Sequence, residues 1–271
     1  MKADAALECT HIGVVGCGHL GRAVALRLLD AGVPRANLAL CHAGSSQTHV
    51  ALIDAGLDDL VLDGRDVADW AQLVLYLVRP QNRSAIGEFA LAPGALLVSF
   101  LAGVQLDTLP VHPSRTRRAR MMTSTPDTLL AVDAIAAVYP SDNELVDGLC
   151  HALGARVFEL ASERDFSAFT ALGPCLPVAL TVCEGIGRAV DESEIVELAS
   201  ALGLEGWDEV VRWARSRQPH GLPPARRDSY VTQASTPGGV TEAVVRALRS
   251  GLSLTDSLRS GVVRSDEMAE S

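Results

Sequence analysis

Lysine is almost absent from this chain. Among its 271 residues the single lysine is Lys2, and the other strongly basic residues are arginines. Mechanisms that need a buried lysine are therefore nearly excluded, among them Schiff-base catalysis and the lysine-assisted dehydrogenation of 3-hydroxy acids. Acidic residues outnumber basic ones, and the formal net charge of −10 argues against nucleic acid or an anionic membrane as the main partner.

From the sequence we also expect no cysteine pairs, no secretion signal and no long apolar runs. None of the six cysteines belongs to a C-x-x-C pair, so we expect no zinc or other metal site. Cys17 and Cys41 lie in or beside strand-like runs, where cysteine is usually a small buried residue, and we expect reduced thiols in a cytoplasmic protein. We expect no apolar run of the roughly 18 residues that cross a membrane and no signal peptide.

Apolar runs alternate with helical patterns through the first 160 residues of the chain. This alternation predicts an α/β domain in which parallel strands are joined by crossover helices. A helix from Asp142 to Leu153 is expected before the last strand. The predicted strands are Ile12–Val15, Leu38–Cys41, Leu60–Leu62, Leu73–Val78, Leu96–Phe100, Arg118–Thr123, Ala134–Val138 and Arg156–Leu160.

Helical periodicity dominates the remainder of the chain. We expect Gln218–Asp228 to form a loop and Arg264–Ser271 to fray. The predicted domains are therefore 1–161, the α/β domain, and 162–271, an all-helical domain whose extensive apolar faces predict a homodimer through its C-terminal helices. The predicted helices are Phe166–Val190, Glu192–Leu202, Trp207–Ser216 and the segment from Thr241 onward.

Three glycines follow the first strand in the G-x-G-x-x-G spacing, and we call residues 16–21 the first glycine loop. A strand before the loop and a helical pattern after it are the context of a dinucleotide site in a Rossmann-type, doubly wound sheet. Gly16 would make the turn, Gly18 would let the pyrophosphate approach, and Gly21 would let the helix pack on the strand. The cofactor-binding residues predicted in this loop are Gly16, Gly18, His19, Leu20 and Gly21.

The end of the second strand lacks the acidic residue that binds the ribose hydroxyls of NAD. His42, Ser45 and Ser46 stand there instead and can donate hydrogen bonds to a 2′-phosphate. We therefore favour NADPH over NADH as the cofactor. An ordinary helix cap is the alternative role for Ser45, and it is independently expected.

Three further segments carry a resemblance to a known family. They are Leu77–Gln81, Val98–Gln105 and Ser235–Thr241, the last with the sequence Ser-Thr-Pro-Gly-Gly-Val-Thr. With the first glycine loop they resemble the pyrroline-5-carboxylate reductase family in order and spacing, from residue 11 to about residue 250. The resemblance implies reduction of a cyclic C=N bond by NAD(P)H, the last step of proline biosynthesis. It also implies an imino-acid substrate and an intertwined dimer.

The resemblance assigns roles to residues outside the first glycine loop. Thr241 is expected to orient the imine nitrogen as the catalytic residue, and Thr170 to contact the substrate. Gly238 and Gly239 precede a helix, and their N–H groups, with Thr236, are expected to hold the substrate carboxylate. A plain helix N-cap after a Pro-Gly turn is the alternative for this late glycine loop, residues 236–239. The residues expected beside the cofactor are Val78, Arg79, Pro80, Ala102, Gly103 and Ser124.

One segment departs from the family pattern. The family's Ser-Gly-Ser-Gly-Pro-Ala-Tyr stands here as Thr170-Ala-Leu-Gly-Pro-Cys-Leu176, so Leu172 replaces a small polar residue and Leu176 a tyrosine. These replacements support one alternative, a catalytically silent NADP-binding relative that acts as a sensor or partner protein. Another alternative is an NADP oxidoreductase with another hydride carrier, such as a deazaflavin, which a deeper and wider apolar cleft would favour. No histidine is convincing as a general acid, because His112 and His151 are expected at the surface.

Overall fold

The chain folds into two compact units, of which the first ends at Leu160 and the second begins at Ala161. The structure is a computed structural model that describes residues 5–111 and 116–270. Within those ranges the first unit contains seven strands and six α-helices, and the second contains seven α-helices.

The strands of the first unit are β1 (Ile12–Val15), β2 (Leu38–Cys41), β3 (Leu73–Tyr76), β4 (Leu96–Ser99), β5 (Arg117–Thr123), β6 (Ala134–Tyr139) and β7 (Ala155–Glu159). They form one sheet in the order β2-β1-β3-β4-β5-β6-β7. β1 to β5 are parallel, β6 runs antiparallel to β5, and β7 is parallel to β6. The strand order reverses at β1, and nucleotides bind at the carboxyl edge of such sheets beside this reversal.

Helices cover both faces of this sheet. Val14 of β1 belongs to a core cluster with Leu28 and Leu149, whereas its neighbour Val15 packs on the opposite face in a cluster with Val67. Because both faces are covered, β1 to β4 are nearly continuous apolar runs that are buried at every position. The helices are α1 (Ala5–Glu8), α2 (His19–Asp30), α3 (Ser46–Asp54), α4 (Gly64–Trp70), α5 (Pro126–Leu130) and α6 (Glu144–Leu153).

Two predictions for this unit are wrong. Leu60–Leu62 is not a strand, since Asp58–Leu60 forms a 3-10 turn and an isolated bridge joins Leu40 to Val61. β6 is antiparallel to β5 because the connection between them, residues 124–133, is shorter than the dozen or more residues that a parallel crossover needs. The other predicted strands end within two residues of the observed ones.

The second unit consists of helices throughout its described residues. α12 packs against α8 and α13, and α13 packs against α7. Gly261 of α13 permits this close packing, since a Cβ there would lie 2.6 Å from a methyl of Val244 and 3.2 Å from Ala171. The helices are α7 (Asp165–Leu172), α8 (Leu176–Gly185), α9 (Glu192–Ala201), α10 (Trp207–Arg217), α11 (Pro224–Ala234), α12 (Val240–Arg249) and α13 (Leu254–Glu270).

Three predictions for the second unit need correction. The single helix Phe166–Val190 is two helices, because Pro174 has no N–H to donate and the residue before it is not helical. The predicted loop Gln218–Asp228 becomes helical at Pro224, in a helix position that tolerates proline. The segment expected to fray continues α13 to Glu270, and Ser271 lies outside the described residues.

One apolar stretch of this unit, Asp165–Gly185, is long and apolar enough to cross a membrane, contrary to the expectation that no such run exists. In the structure, 94% of its apolar window is buried inside the protein. It includes α7 and α8, and Phe166, Phe169 and Leu180 are among its buried side chains. This stretch therefore forms the core of the helical unit, although its length and composition are those of a membrane-spanning helix.

Candidate functional site

The first glycine loop joins β1 to α2 at the carboxyl edge of the sheet. Gly16 has a φ of +104°, and its N–H donates to the Cys41 carbonyl at 3.0 Å. A Cβ at this position would lie 2.6 Å from the carbonyl carbon of Leu77, and one at Gly21 would collide with the Gly16 carbonyl oxygen. Glycine is thus required at both positions, by conformation at the first and by helix packing at the second.

Gly18 differs from these two glycines because the space in front of it is open. It is the N-cap of α2 in an extended conformation (φ −65°, ψ −163°), and no side chain caps the helix. Apart from its two chain neighbours, no described residue has an atom within 4 Å of a Cβ built there. His19, which is exposed, and Leu20 begin α2, so the first N–H groups of this helix stand beside open space that suits an anion.

The carboxyl ends of β3 and β4 bring further predicted residues to the same edge. Residues 78–80 follow β3, and Arg79 is exposed immediately before the 3-10 turn Pro80–Glu88. Ala102 and Gly103 follow β4 in a turn where Gly103 has a φ of +68°. Because β1, β3 and β4 are adjacent and parallel, these residues and the first glycine loop lie along one sheet edge.

His42 follows β2 at this edge and is half-buried. Its Nδ1 accepts a hydrogen bond from the Gly44 N–H at 3.1 Å, which leaves Nε2 as the donor of the neutral ring. His49, which the sequence analysis missed, places its ring centroid 6.2 Å from that of His42. Ser45 is the N-cap of α3 and accepts a backbone hydrogen bond, so its helix-cap role is confirmed, and Ser46 is exposed as the first residue of α3.

Ser124 is engaged in the turn between β5 and α5. It is buried, its hydroxyl lies 2.7 Å from the Thr128 hydroxyl, and its oxygen accepts the Ile135 N–H at 3.1 Å. These bonds hold the turn after β5. Its contact with the cofactor stays a prediction.

The late glycine loop is a Pro-Gly turn that leads into α12. Gly238 has a φ of +72°, and the Gly239 N–H donates to the Thr236 carbonyl at 2.9 Å, as in a type II turn. The Gly238 N–H donates to the Glu242 carboxylate at 2.8 Å. Both glycine N–H groups predicted to hold a substrate carboxylate therefore have protein partners here. By the geometry of a helix start, the N–H groups of residues 240 and 241 are the next donors at this end.

Arg264 of α13 contacts the late glycine loop and was not found from the sequence. Its Nε donates to the Gly238 carbonyl at 2.7 Å, and its Nη1 pairs with Glu267 at 3.0 Å. Sequence periodicity cannot select this arginine, because the packing of α13 against α12 decides which side chain reaches the loop. The backbone of Gly238 is thus hydrogen-bonded to the Glu242 carboxylate through its N–H and to the Arg264 guanidinium through its carbonyl.

Thr241 stands in the first turn of α12, half-buried, with its hydroxyl oxygen 3.2 Å from the sulfur of Cys175. Cys175 is buried in the turn between α7 and α8, and desolvation raises the pKa of its thiol to about 11. Thr170 differs from Thr241, because its buried hydroxyl donates to the Phe166 carbonyl of its own helix at 2.7 Å. Its donor is therefore already used within α7.

The remaining histidines do not join these groups. His151 is exposed on α6, and His112 lies outside the described residues. The Nδ1 of His220 is 3.2 Å from the carboxylate of Glu184, which also accepts the Gly221 N–H at 2.8 Å. That backbone bond, with His220, holds the pKa of Glu184 below its usual value. Within the described residues, no group of three His, Cys, Asp or Glu side chains could hold a metal ion.

No protein-family model matches the sequence. Among solved structures the chain is similar to a pyrroline-5-carboxylate reductase from Coxiella burnetii, with 17% identity, a TM-score of 0.60, and coverage of 97% of this chain and 99% of that one. It is similar to Plasmodium falciparum pyrroline carboxylate reductase with NADP bound, with 17% identity, a TM-score of 0.57, and 97% and 99% coverage. A third similar structure is an NADH-preferring ketol-acid reductoisomerase from an uncultured archean, with 16% identity, a TM-score of 0.57, and 98% and 85% coverage. The predicted Rossmann-type sheet followed by a helical unit is confirmed, and the chain has the fold of the pyrroline-5-carboxylate reductases along nearly its whole length.

Proposed function

We propose that the protein is an oxidoreductase that uses NADPH to reduce the C=N bond of a cyclic imine. The observation that carries this proposal is the uncapped N-terminus of α2, which stands beside the open space at Gly18 on the carboxyl edge of the sheet. Two of the proteins that share the fold are named pyrroline-5-carboxylate reductases, and this supports hydride transfer to an imine.

The residues of the first unit fit a dinucleotide. The open space before Gly18 would let a pyrophosphate approach, and the N–H groups at the positive end of α2 would bind it. His42, with Nε2 as its donor, and His49 would bind a 2′-phosphate, and they support NADPH over NADH. When bound, this cofactor supplies the hydride.

In the second unit, Thr241 would hydrogen-bond the imine nitrogen and fix the plane of the C=N group. An imino-acid carboxylate would lie at the start of α12, with the N–H groups of Val240 and Thr241 as donors and Arg264 as a cation beside the same turn. Thr236 and Gly239 would shape that turn through their backbone hydrogen bond. A protonated C=N group is already electrophilic, so solvent can supply the proton without a general acid from the protein.

We propose a cytoplasmic enzyme of proline or related imino-acid synthesis that acts on a small molecule. The six cysteines are free, which suits a reducing compartment. We also propose a homodimer formed through the C-terminal helices. Light scattering during size-exclusion chromatography should give twice the chain mass, and the mass of one chain would contradict the dimer.

Imine turnover is the decisive assay. Purified protein is mixed with NADPH and pyrroline-5-carboxylate, piperideine-2-carboxylate or uncarboxylated 1-pyrroline, and the absorbance of NADPH is followed. We expect turnover with a carboxylated imine and a lower kcat/KM for 1-pyrroline, because 1-pyrroline makes no contact with the start of α12. Equal kcat/KM values would place the carboxylate away from this helix end.

Thr241→Val tests the proposed catalytic group. Loss of one hydrogen bond made to the reacting nitrogen should lower kcat about tenfold and leave the Kd for NADPH unchanged. Thr181→Val is the matched control, because Thr181 is a buried threonine whose hydroxyl donates to its own helix at 2.8 Å. An equal loss of kcat in the control, or a weaker Kd for NADPH in Thr241→Val, would contradict the assignment.

The alternatives predict different outcomes of the same assay. NADPH binding without turnover of any imine would favour the silent NADP-binding relative, and turnover with a deazaflavin alone would favour the other oxidoreductase. Leu172 and Leu176 are fully buried, which supports a core role for the two replacements that suggested the silent relative.

A further inference from the structure

The thiol of Cys175 contacts the hydroxyl that the proposed function makes catalytic. The sulfur lies 3.2 Å from the Thr241 hydroxyl oxygen, across 66 residues of sequence, between the turn before α8 and the first turn of α12. On the basis of that function, we propose that Cys175 is a positioning residue. Its sulfur accepts the hydrogen bond of the Thr241 hydroxyl and thereby turns the oxygen lone pairs toward the substrate nitrogen.

The chemistry of the two side chains sets the direction of this hydrogen bond. A threonine hydroxyl has one proton and two lone pairs, whereas a thiol is a weak donor and a weak acceptor. The hydroxyl of a helical threonine commonly donates a hydrogen bond to the carbonyl four residues earlier, as those of Thr170 and Thr181 do at 2.7 and 2.8 Å. Thr241 lies too close to the start of α12 for such a bond, because the residue four positions earlier, Pro237, belongs to the preceding turn. Its hydroxyl contacts the Cys175 sulfur instead.

The surroundings of Cys175 keep the sulfur neutral. The side chain is 3% exposed, and desolvation raises the pKa of the thiol to about 11. A neutral thiol at this depth is a poor nucleophile, but its sulfur can still accept a hydrogen bond from a hydroxyl. The geometry therefore gives Cys175 a role through Thr241 rather than a reaction of its own.

This orientation matters for a protonated imine. The N–H of the protonated imine needs a hydrogen-bond acceptor. Thr241 Oγ1 can be that acceptor only if the hydroxyl proton of Thr241 points away from the imine. When the hydroxyl donates its hydrogen bond to the sulfur, a lone pair of Oγ1 faces the nitrogen and stabilises the protonated form of the C=N group. Removal of the sulfur should thus lower kcat and move the alkaline limb of the kcat–pH profile to lower pH. A residue that only fills space would not move that limb.

The test uses two substitutions at Cys175 and one control. Cys175→Ala should lower kcat about fivefold, the loss of one neutral hydrogen bond, with the Kd for NADPH unchanged and the alkaline limb shifted to lower pH. Cys175→Ser should recover most of kcat and the profile, because a serine hydroxyl also accepts. Cys183→Ala, at a buried cysteine of α8, should leave both unchanged.

Several results would overturn the proposal. Wild-type kcat and pH profile in Cys175→Ala would do so, as would the same losses in Cys183→Ala. Absence of imine turnover by the wild-type protein would overturn the proposed function, and the hydrogen bond would then be tested alone by infrared spectroscopy. Thr241→Val should leave the S–H stretching band of Cys175 in place, whereas a shift to higher frequency would show that the thiol donates and would refute the direction.

Discussion

Replacement of Gly18 tests the cofactor site sharply, because binding should weaken while stability should hardly change. The backbone of Gly18 is extended (φ −65°, ψ −163°), which alanine also adopts, and apart from its two chain neighbours no described residue has an atom within 4 Å of a Cβ built there. Gly18→Ala should therefore change the free energy of unfolding of the free protein by less than about 1 kcal/mol, because the lower entropy of the unfolded chain, worth about 0.4–1 kcal/mol, is offset by the poorer preference of alanine for the N-cap of α2. For a protein of this size, that limits the change in Tm to about 4 °C.

The same methyl group would stand where the pyrophosphate must approach the start of α2. A phosphate oxygen binds an N–H at about 2.7–3.2 Å, whereas a methyl carbon keeps its neighbours at about 3.5–4.0 Å. Loss of one hydrogen bond to a charged group costs about 1.5–3 kcal/mol, so the Kd for NADPH should rise at least about tenfold. Fluorescence titration with NADPH and thermal unfolding measure the two effects on the same sample.

Gly21→Ala is the contrasting variant, since its methyl would collide with the Gly16 carbonyl oxygen. We expect it to lower the free energy of unfolding by about 1–3 kcal/mol or more, in contrast to Gly18→Ala. An unchanged Kd for NADPH in folded Gly18→Ala would refute the position of the pyrophosphate. A fall in Tm of Gly18→Ala by much more than about 4 °C would refute the open space in front of that residue.

Three further predictions concern packing, acid stability and thiol reactivity. Gly261→Ala should lower the free energy of unfolding in urea by about 1–3 kcal/mol, because its Cβ would lie 2.6 Å from Val244; an unchanged midpoint would contradict this packing. The Gly221 N–H lowers the pKa of Glu184 below its ordinary 4.5, so the carboxylate contributes fully to stability above that pH and loses its contribution as the pH falls through the lower folded-state value. The Tm of the wild type should then fall more steeply in acid than that of Glu184→Gln, and parallel curves would count against it. Iodoacetamide should label exposed Cys9 before buried Cys17, whose pKa burial raises to about 12, and mass spectrometry showing the reverse order would contradict this burial.

The sheet could be predicted from the sequence because its physical cause is local. Strands covered on both faces must be apolar at nearly every position, and β1 and β2 match the predicted runs residue for residue. Strand direction is a different kind of property. Nothing in the side chains of β6 encodes its antiparallel course, and the short connection of residues 124–133 was the available signal. Leu60–Leu62 was mistaken for a strand because a short apolar run does not distinguish a strand from a buried 3-10 turn.

The candidate functional residues of the two units differ in the same way. Gly16 and Gly21 can be recognised from the sequence, because a side chain at either position would clash with backbone atoms of the loop itself or of the residues that follow β3. Cys175 and Arg264 have no such signal, because each acquires its partner through the packing of separate helices. Residues that the local backbone geometry requires can therefore be predicted from the sequence. Side chains that come into contact only when separate helices pack cannot.

The two glycine loops also show that glycines before a helix are not enough to identify an anion site. At Gly18 the helix start is uncapped and faces open space, so its N–H groups can bind phosphate without displacing a protein group. At the late glycine loop, the Glu242 carboxylate already takes the Gly238 N–H. The substrate carboxylate proposed at α12 would have to avoid that negative charge, and it would gain from the positive charge of Arg264. Whether the N–H groups already have internal partners distinguishes the two loops, and it makes the start of α2 better prepared for an anion than the late glycine loop.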